Sequence, residues 1–239
     1  MSDAFYPDGA FLLDLLTRAS NDNVNELPEL MSIGRRTTEI ERKYRIRMEE
    51  SEDVNTATLY TRRLSQALSV ITNEELPIKA HQTFTGVDQY LVTKSPSGDE
   101  LVYRFRFGSN RPPTLAVKFQ KVKGDNEVRG EVSIPLPKAE PSHVRIFLST
   151  IAVLAPEHHF FAIHQTGSFW EIIFEGRLVE VVIYRVGRVG EEARDIFIEI
   201  EPLEYRTPEE AVARIDSLET LLELTEFRCQ ESIAELYRT

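Results

Sequence analysis

Regular alternation of polar and apolar positions marks the segment from residue 37 to residue 48 as a β-strand. Successive side chains of a strand point to opposite faces, so Glu39, Glu41 and Lys43 share one face. Apolar side chains, among them Ile40 and Tyr44, fall on the other face. Similar patterns, bounded by turn residues, predict further strands over 81–92, 101–107, 115–122, 128–134, 169–174, 178–186 and 195–203.

Apolar residues at three- and four-residue spacing predict helices over about 55–73 and over 142–154. A third helix starts at Thr207, with Pro208 in its first position and Glu210 completing a capping box. The chain beyond it is also predicted to be helical, with a break near Thr225.

Two regions follow from this pattern. Residues 1–36 are predicted to form a helical extension, because a short amphipathic segment there is followed by a polar run. Residues 37–239 are predicted to form one domain, since no convincing linker divides them. Length supports this, because closed β-structures of this size are commonly single domains.

Composition limits the classes of partner that this protein could bind. The formal net charge of −11 argues against a DNA-binding or anionic-membrane surface, which requires excess Lys and Arg. No apolar run approaches the roughly 18 residues needed to cross a bilayer, and the N-terminus lacks a signal-peptide layout. The single cysteine, Cys229, fits a reducing compartment. A cytoplasmic protein is expected, and its oligomeric state stays open.

Charged rows like that of the first strand recur, always opposite an apolar face. Taken alone, the first row is typical of a solvated strand face with ion pairs between strands. The recurrence favours a different arrangement, an α+β fold whose antiparallel strands form a closed β-barrel with a charged lumen and amphipathic helices outside. The further rows are Arg104 and Arg106, Lys118, Arg129 and Glu131, and Glu199 and Glu201.

Acidic and basic groups enclosed together indicate a polyanion site with its metal. Clustered carboxylates repel unless a cation lies between them, and oxygen ligands suit Mg²⁺. Guanidinium groups match phosphate oxygens with two parallel hydrogen bonds.

The ordered motifs resemble the CYTH superfamily, also called triphosphate tunnel metalloenzymes, from about Thr38 to the C-terminus. Glu39-Ile40-Glu41-Arg42-Lys43 is similar to the family's ExExK signature. The remaining matches are Gln82 with Asp88-Gln89-Tyr90, Arg104-Phe105-Arg106, Lys118, Arg129-Gly130-Glu131 and Glu199-Ile200-Glu201.

The resemblance implies an eight-stranded antiparallel β-tunnel that binds a small-molecule triphosphate and hydrolyses it with Mg²⁺ or Mn²⁺. Inorganic tripolyphosphate and nucleoside or thiamine triphosphates are all substrates in the family. By position, the metal carboxylates would be Glu39, Glu41, Glu199 and Glu201. Phosphate would be bound by Lys43, Arg104, Arg106, Lys118 and Arg129, and the catalytic residues would be Glu41, Lys43 and Glu131, with Glu131 positioning a basic neighbour or a second metal.

Three positions depart from the family pattern. A Lys-x-Arg pair is replaced by Gln165 and Gly167, and an acidic position by Tyr184, for which Glu180 is a partial substitute. These changes leave two alternatives open beside a triphosphatase. One is a catalytically impaired phosphate- or nucleotide-binding module, and the other is a class IV-type adenylyl cyclase.

Overall fold

A single large antiparallel β-sheet dominates the computed structural model. The structure describes residues 35–47, 69–71, 76–94, 98, 100–108, 111–122, 127–135, 157–193 and 195–238, and positions 144, 146, 147, 149, 150 and 153. The predicted extension 1–36 lies outside this part of the chain except for its last two residues. Of the predicted helix 55–73 only 69–71 is described, and it is helical. All six described positions within 142–154 are helical as well.

Eight strands follow the predicted order, the sixth of them is much longer than predicted, and the short ninth strand was not predicted. Their bounds are β1 (Arg35–Arg47), β2 (Ile78–Lys94), β3 (Glu100–Gly108), β4 (Arg111–Val122), β5 (Glu127–Pro135), β6 (His158–Phe174), β7 (Arg177–Arg188), β8 (Asp195–Pro202) and β9 (Arg228–Cys229). The prediction for β6 missed its first eleven residues, where polar residues around Gly167 interrupt the alternation. Pairing with β2, which continues from Thr93↔His158 to Ile78↔Ile172, keeps this stretch extended.

The order of strands in the sheet is β5-β4-β3-β2-β6-β7-β8-β1-β9, with a further pairing between β5 and β1. The first half of β1, Arg35–Glu41, pairs with β5, and the second half, Arg42–Arg47, pairs with β8. The predicted tight turn between β6 and β7 is confirmed. Glu175 and Gly176 have positive φ angles of 50° and 72°, which a two-residue hairpin loop of this hand requires.

Apolar residues on one face of the sheet, here called the outer face, are covered by helices. Helix α1 (Pro208–Leu221) packs Ile215 and Leu218 against Ile40 and Ile198. A second outer cluster joins strands β2 to β5 with the described helical residues Val144 and Phe147; its strand members are Leu91, Phe105, Leu115, Val132 and Ile134. None of the described helices is long and apolar enough to span a membrane.

Half of the predicted capping box at α1 is confirmed. The Glu210 N–H donates to Thr207 Oγ1 at 3.2 Å, but the Glu210 carboxylate accepts from the Arg206 N–H instead of the Thr207 N–H. The tail is also less helical than predicted. After α1, Glu223 adopts a positive φ of 54°, and a 3₁₀ turn at Thr225–Phe227 leads to β9 and the short helix α2 (Ile233–Tyr237).

A buried carboxylate fixes α1 and β9 to the outer face of β1. Glu219 is only 2% exposed and accepts hydrogen bonds from Arg42 at 2.7 Å, Tyr44 at 2.9 Å, Arg228 at 2.7 Å and Thr225 Oγ1 at 2.9 Å. Burial acts to raise the pKa of Glu219, but the bonds from Arg228 and Arg42 lower it to about 2.

Glu219→Ala should lower the free energy of unfolding by about 3–5 kcal/mol at neutral pH, because it leaves the buried Arg42 short of a partner. The contribution of this carboxylate is complete above its ordinary pKa of 4.5 and is lost as the pH falls toward 2. The free energies of unfolding of the variant and the parent should therefore become more similar as the pH falls from 4.5 to about 2. Urea unfolding at stepped pH measures it; Glu192→Ala, at an exposed position, is the control. An unchanged midpoint for Glu219→Ala would contradict the prediction.

Candidate functional site

The face of the sheet opposite the outer face encloses a cavity of about 360 Å³, and it is called the cavity face below. All eight long strands and the residues at the start of α2 contribute to its lining. Nine of the ten predicted site residues line it, namely Glu39, Glu41, Lys43, Arg104, Arg106, Lys118, Glu131, Glu199 and Glu201. The tenth, Arg129, is opposite Glu39 in the β1–β5 register, and its side chain lies outside the described part of the structure.

Three of the predicted metal carboxylates converge. One oxygen from each of Glu39, Glu41 and Glu201 lies within 4.8 Å of the other two. Burial raises the pKa of Glu201 to about 9, and repulsion from Glu39, Glu41 and Glu180 adds to this effect. Three crowded carboxylates fit a hard divalent cation, because the cation removes the repulsion between them and accepts oxygen ligands.

The fourth predicted metal carboxylate, Glu199, faces different partners. It accepts a hydrogen bond from the Tyr184 hydroxyl at 2.6 Å and lies 3.2 Å from the Lys43 ammonium. Burial acts to raise the pKa of Glu199, but Lys43 and the Tyr184 hydrogen bond lower it overall. Glu199 is therefore held as an anion beside the trio of Glu39, Glu41 and Glu201.

Each lysine on the cavity face lies between two carboxylates. Lys118 lies 2.9 Å from Glu39 and 2.9 Å from Glu131, while Lys43 lies 3.3 Å from Glu41. Each lysine therefore joins acidic side chains that would otherwise repel each other. This arrangement holds the side chains in place and leaves the ammonium groups next to the cavity.

Arg104 is the least satisfied of the basic groups. Its Nε atom is buried and has no hydrogen-bond partner among the described residues. Its nearest carboxylate, on Glu131, is 3.9 Å from Nη2, beyond hydrogen-bond distance. A buried Nε–H without an acceptor is costly in a folded protein, and an anion in the cavity would satisfy it.

Asp88, a match to the family pattern that was given no role, positions one of the predicted phosphate ligands. It is completely buried and holds Arg106 through two bonds, Nε to Oδ1 at 3.1 Å and Nη2 to Oδ2 at 3.0 Å. The two residues are direct partners in the β2–β3 register. Alternation in β2 places Asp88 on the same face as Tyr90, which was the available signal in the sequence.

The three departures from the family pattern meet on one side of the cavity. Gly167 lies opposite Tyr184 in the β6–β7 register and opposite Phe84 in the β2–β6 register. A Cβ atom at Gly167 would lie 2.2 Å from the Ile183 carbonyl oxygen and 2.5 Å from Tyr184 Cβ. The close approach of β7 at Ile183 and Tyr184 therefore excludes a side chain at position 167, and no basic residue can stand there.

Gln165 and Glu180 both reach the cavity, whereas residues next to Gln165 and Tyr184 in the chain do not. Gln165 is buried and lines the cavity, and Glu180 lines it opposite Glu201. Neither His164 nor Arg185 lines it. The His164 ring lies near the Arg188 carbonyl, with Nδ1 at 3.1 Å, and Arg185 is exposed.

Comparison with solved structures identifies the fold. The protein PH1012 from Pyrococcus horikoshii OT3 is 18% identical with a TM-score of 0.55, and the match covers 83% of this chain and 98% of that one. PH1819 from the same organism is 16% identical with a TM-score of 0.51 over 83% and 97%. This chain therefore shares their fold, as the resemblance to the triphosphate tunnel proteins predicted.

The same comparison finds a protein described as adenylyl cyclase HpAC1 from Hippeastrum, with a dominant triphosphatase activity. It is 17% identical with a TM-score of 0.44, over 83% of this chain and 93% of that one. No protein-family model and no curated protein sequence matches this chain.

Gly167→Ala should destabilise the protein by about 1–3 kcal/mol, because the added methyl group overlaps the β7 backbone and forces the strands apart. Ser168→Ala, at the next position, should change stability by no more than about 0.5 kcal/mol. Chemical unfolding of both variants measures the difference. Equal stability of the two would show that position 167 has room for a side chain.

Proposed function

We propose that this protein is a metal-dependent triphosphatase whose substrate phosphates lie in the cavity between the basic groups and the acidic trio. The observation that carries the proposal is the half-buried Arg104 side chain, whose buried Nε has no partner among the described residues, facing a cavity that also contains three crowded carboxylates. A phosphate chain with a divalent cation would satisfy both groups together.

The proposal includes a closed, eight-stranded tunnel formed by residues 37–239. Pairing of β1 with both β5 and β8 supports closure, since it links β5, at one end of the strand order, to β8, near the other end. A cytoplasmic location is also part of the proposal, and the single cysteine supports it.

Charge balance supports a requirement for metal. Six glutamates line the cavity, against four lysines and arginines among the described residues. A triphosphate alone would add negative charge to a space that already holds more carboxylates than cations. A Mg²⁺ or Mn²⁺ ion would have to accompany it, and Glu39, Glu41 and Glu201 would hold that ion. When bound, the ion would neutralise phosphate charge and polarise the phosphoryl oxygens.

Phosphate binding would fall to the basic residues of the cavity face. Arg104 has unused donors, and Asp88 fixes the guanidinium of Arg106 beside it. Lys43 and Lys118 would exchange part of their carboxylate contacts for phosphate oxygens, with Glu131 keeping Lys118 in place at 2.9 Å. The proposal assigns the same role to Arg129.

The carboxylates would also orient the attacking water. Phosphoryl transfer depends on positioning and charge stabilisation more than on a covalent nucleophile. Glu199 is suited to accept a hydrogen bond from this water, since Lys43 and Tyr184 keep it ionised. Glu41, 3.3 Å from the same ammonium, would act with it.

Arg104→Ala should weaken triphosphate binding about 10- to 150-fold, because one charge-assisted contact contributes about 1.5–3 kcal/mol. Calorimetric titration with Mg²⁺ present measures the dissociation constant. Arg185→Ala removes an exposed arginine that does not line the cavity, and should leave binding unchanged. Equal affinity of both variants would exclude Arg104 from the phosphate site.

Glu41→Ala should abolish phosphate release, and a chelator should do the same to the parent protein, because both remove the divalent cation from the acidic trio. Phosphate release from ATP, GTP, thiamine triphosphate and tripolyphosphate with Mg²⁺ or Mn²⁺ is the measurement. The exposed Glu192→Ala variant should retain full activity. Undiminished release by Glu41→Ala would refute the assignment.

A second function, binding without turnover, is favoured by one observation. Gln165 and Gly167 replace basic residues of the family pattern, and the space at Gly167 is filled by Tyr184 and backbone. In that case calorimetry would detect triphosphate binding while no metal supports phosphate release. The same panel, assayed for cyclic AMP, separates a cyclase from both.

A further inference from the structure

Glu199 belongs by position to the charged row of β8, but its carboxylate stands apart from the acidic trio. It lies two residues before Glu201 in the chain and opposite Lys43 in the β1–β8 register. Among the described residues, the trio is the one group of three potential metal ligands whose atoms all lie within 4.8 Å of one another, and Glu199 is not part of it. Its contacts show what holds the carboxylate apart.

Two contacts to Glu199 are made at the same oxygen. The Tyr184 hydroxyl donates to Oε1 at 2.6 Å, and the Lys43 ammonium lies 3.2 Å from the same atom. Neither contact involves Oε2, and the Glu199 side chain lines the cavity with 20% of its surface exposed. The carboxylate is thus held through one oxygen and offers the other to the cavity.

Lys43 separates Glu199 from the trio. Its ammonium lies 3.3 Å from Glu41 Oε1 as well as 3.2 Å from Glu199 Oε1, so it bridges the two carboxylates. A divalent cation shared by Glu41 and Glu199 would have to approach this buried ammonium, and positive charges repel strongly at such distances inside a protein. A cation is therefore favoured among the oxygens of the trio and disfavoured beside Glu199.

Tyr184 supplies a donor that a carboxylate in its place could not. The family pattern that this sequence resembles has an acidic residue here, whereas this chain has tyrosine. Two carboxylates that face each other repel unless a cation or a proton lies between them. The tyrosine removes this requirement, because its hydroxyl donates to Glu199 directly. The replacement changes Glu199 from a carboxylate that needs a cation to one that the protein itself satisfies.

The position of the Tyr184 hydroxyl is fixed by packing and register. The side chain is buried, and its ring stacks on Phe197 with 5.8 Å between ring centroids and 28° between ring planes. Tyr184 and Phe197 are direct partners in the β7–β8 register, and Glu199 is the next residue of β8 on the same face. Side chains in such a diagonal arrangement are within reach of each other when one of them is aromatic. The pairing of the two strands therefore sets the place of the Glu199 carboxylate.

We propose that Tyr184 is a positioning residue, which takes Glu199 out of the set of metal ligands and directs Oε2 of Glu199 to the attacking water. The trio then binds the divalent cation without Glu199. This inference rests on the proposed triphosphatase, and it gives a role in that reaction to a residue that departs from the family pattern.

The set of metal ligands is tested by Mn²⁺ binding to the full-length protein without substrate, measured by calorimetry and by the EPR signal of free Mn²⁺. Glu201→Gln should weaken binding at least about tenfold, because it removes a ligand, while Glu199→Gln should change the dissociation constant by no more than about threefold. In a Tyr184→Asp background, Glu199→Gln should weaken binding at least about tenfold, since two facing carboxylates then share a cation. The comparison in the parent background stands even if Tyr184→Asp fails to fold.

The positioning role is tested by turnover of the ligand that the parent hydrolyses fastest. Tyr184→Phe keeps the ring and should lower kcat about tenfold or more, because one charge-assisted hydrogen bond to Glu199 is lost. KM and the Mn²⁺ dissociation constant should stay within about threefold, whereas a general loss of structure would change them together with kcat. Arg185→Ala, at the exposed neighbouring position outside the cavity, should retain the kcat and KM of the parent.

The outcomes separate this inference from the proposed function. Equal weakening of Mn²⁺ binding by Glu199→Gln and Glu201→Gln would overturn the inference, and so would an undiminished kcat in Tyr184→Phe. Mn²⁺ binding in the expected pattern without phosphate release from any triphosphate would overturn the triphosphatase and the role toward water, while the set of metal ligands would stand. If Mn²⁺ does not bind to the parent at all, the inference and the proposed metal site are both wrong.

Discussion

Charged side chains can occupy the cavity face of this sheet because strands far apart in the chain supply opposite charges. Lys118 of β4 is the clearest case, since it contacts Glu39 and Glu131 on two other strands. An isolated charge in this place would be strongly unfavourable, whereas a bridged one is tolerated. The pairing of β1 with both β5 and β8 brings these groups together, so the fold and the site depend on the same contacts.

Alternate residues of one short motif in β1 point to the two faces of the sheet. Glu39, Glu41 and Lys43 point to the cavity, while Arg42 points outward and binds Glu219 of α1. The carboxylate of Glu219 also binds Arg228, so the segment after α1 is fixed to the same strand. A stable outer network holds β1 in register, and register determines which of its side chains reach the cavity.

Crowded carboxylates and an arginine whose buried Nε has no acceptor are features that a structural core avoids. They raise the energy of the unliganded protein, and the proposed cation and anion would relieve them together.

Much of this architecture was determined by the sequence alone. Alternation in β1, β3 and β8 assigned the charged rows to one face, and nine of the ten predicted site residues line a common cavity. The full extent of β6 was not predictable, because its polar residues are kept extended by pairing with β2. The position of Glu199 beside Tyr184 and the hold of Asp88 on Arg106 were decided by the tertiary structure. Local pattern fixes the face on which a side chain lies, whereas its partners depend on the register between strands, and this depends on contacts across the whole sheet.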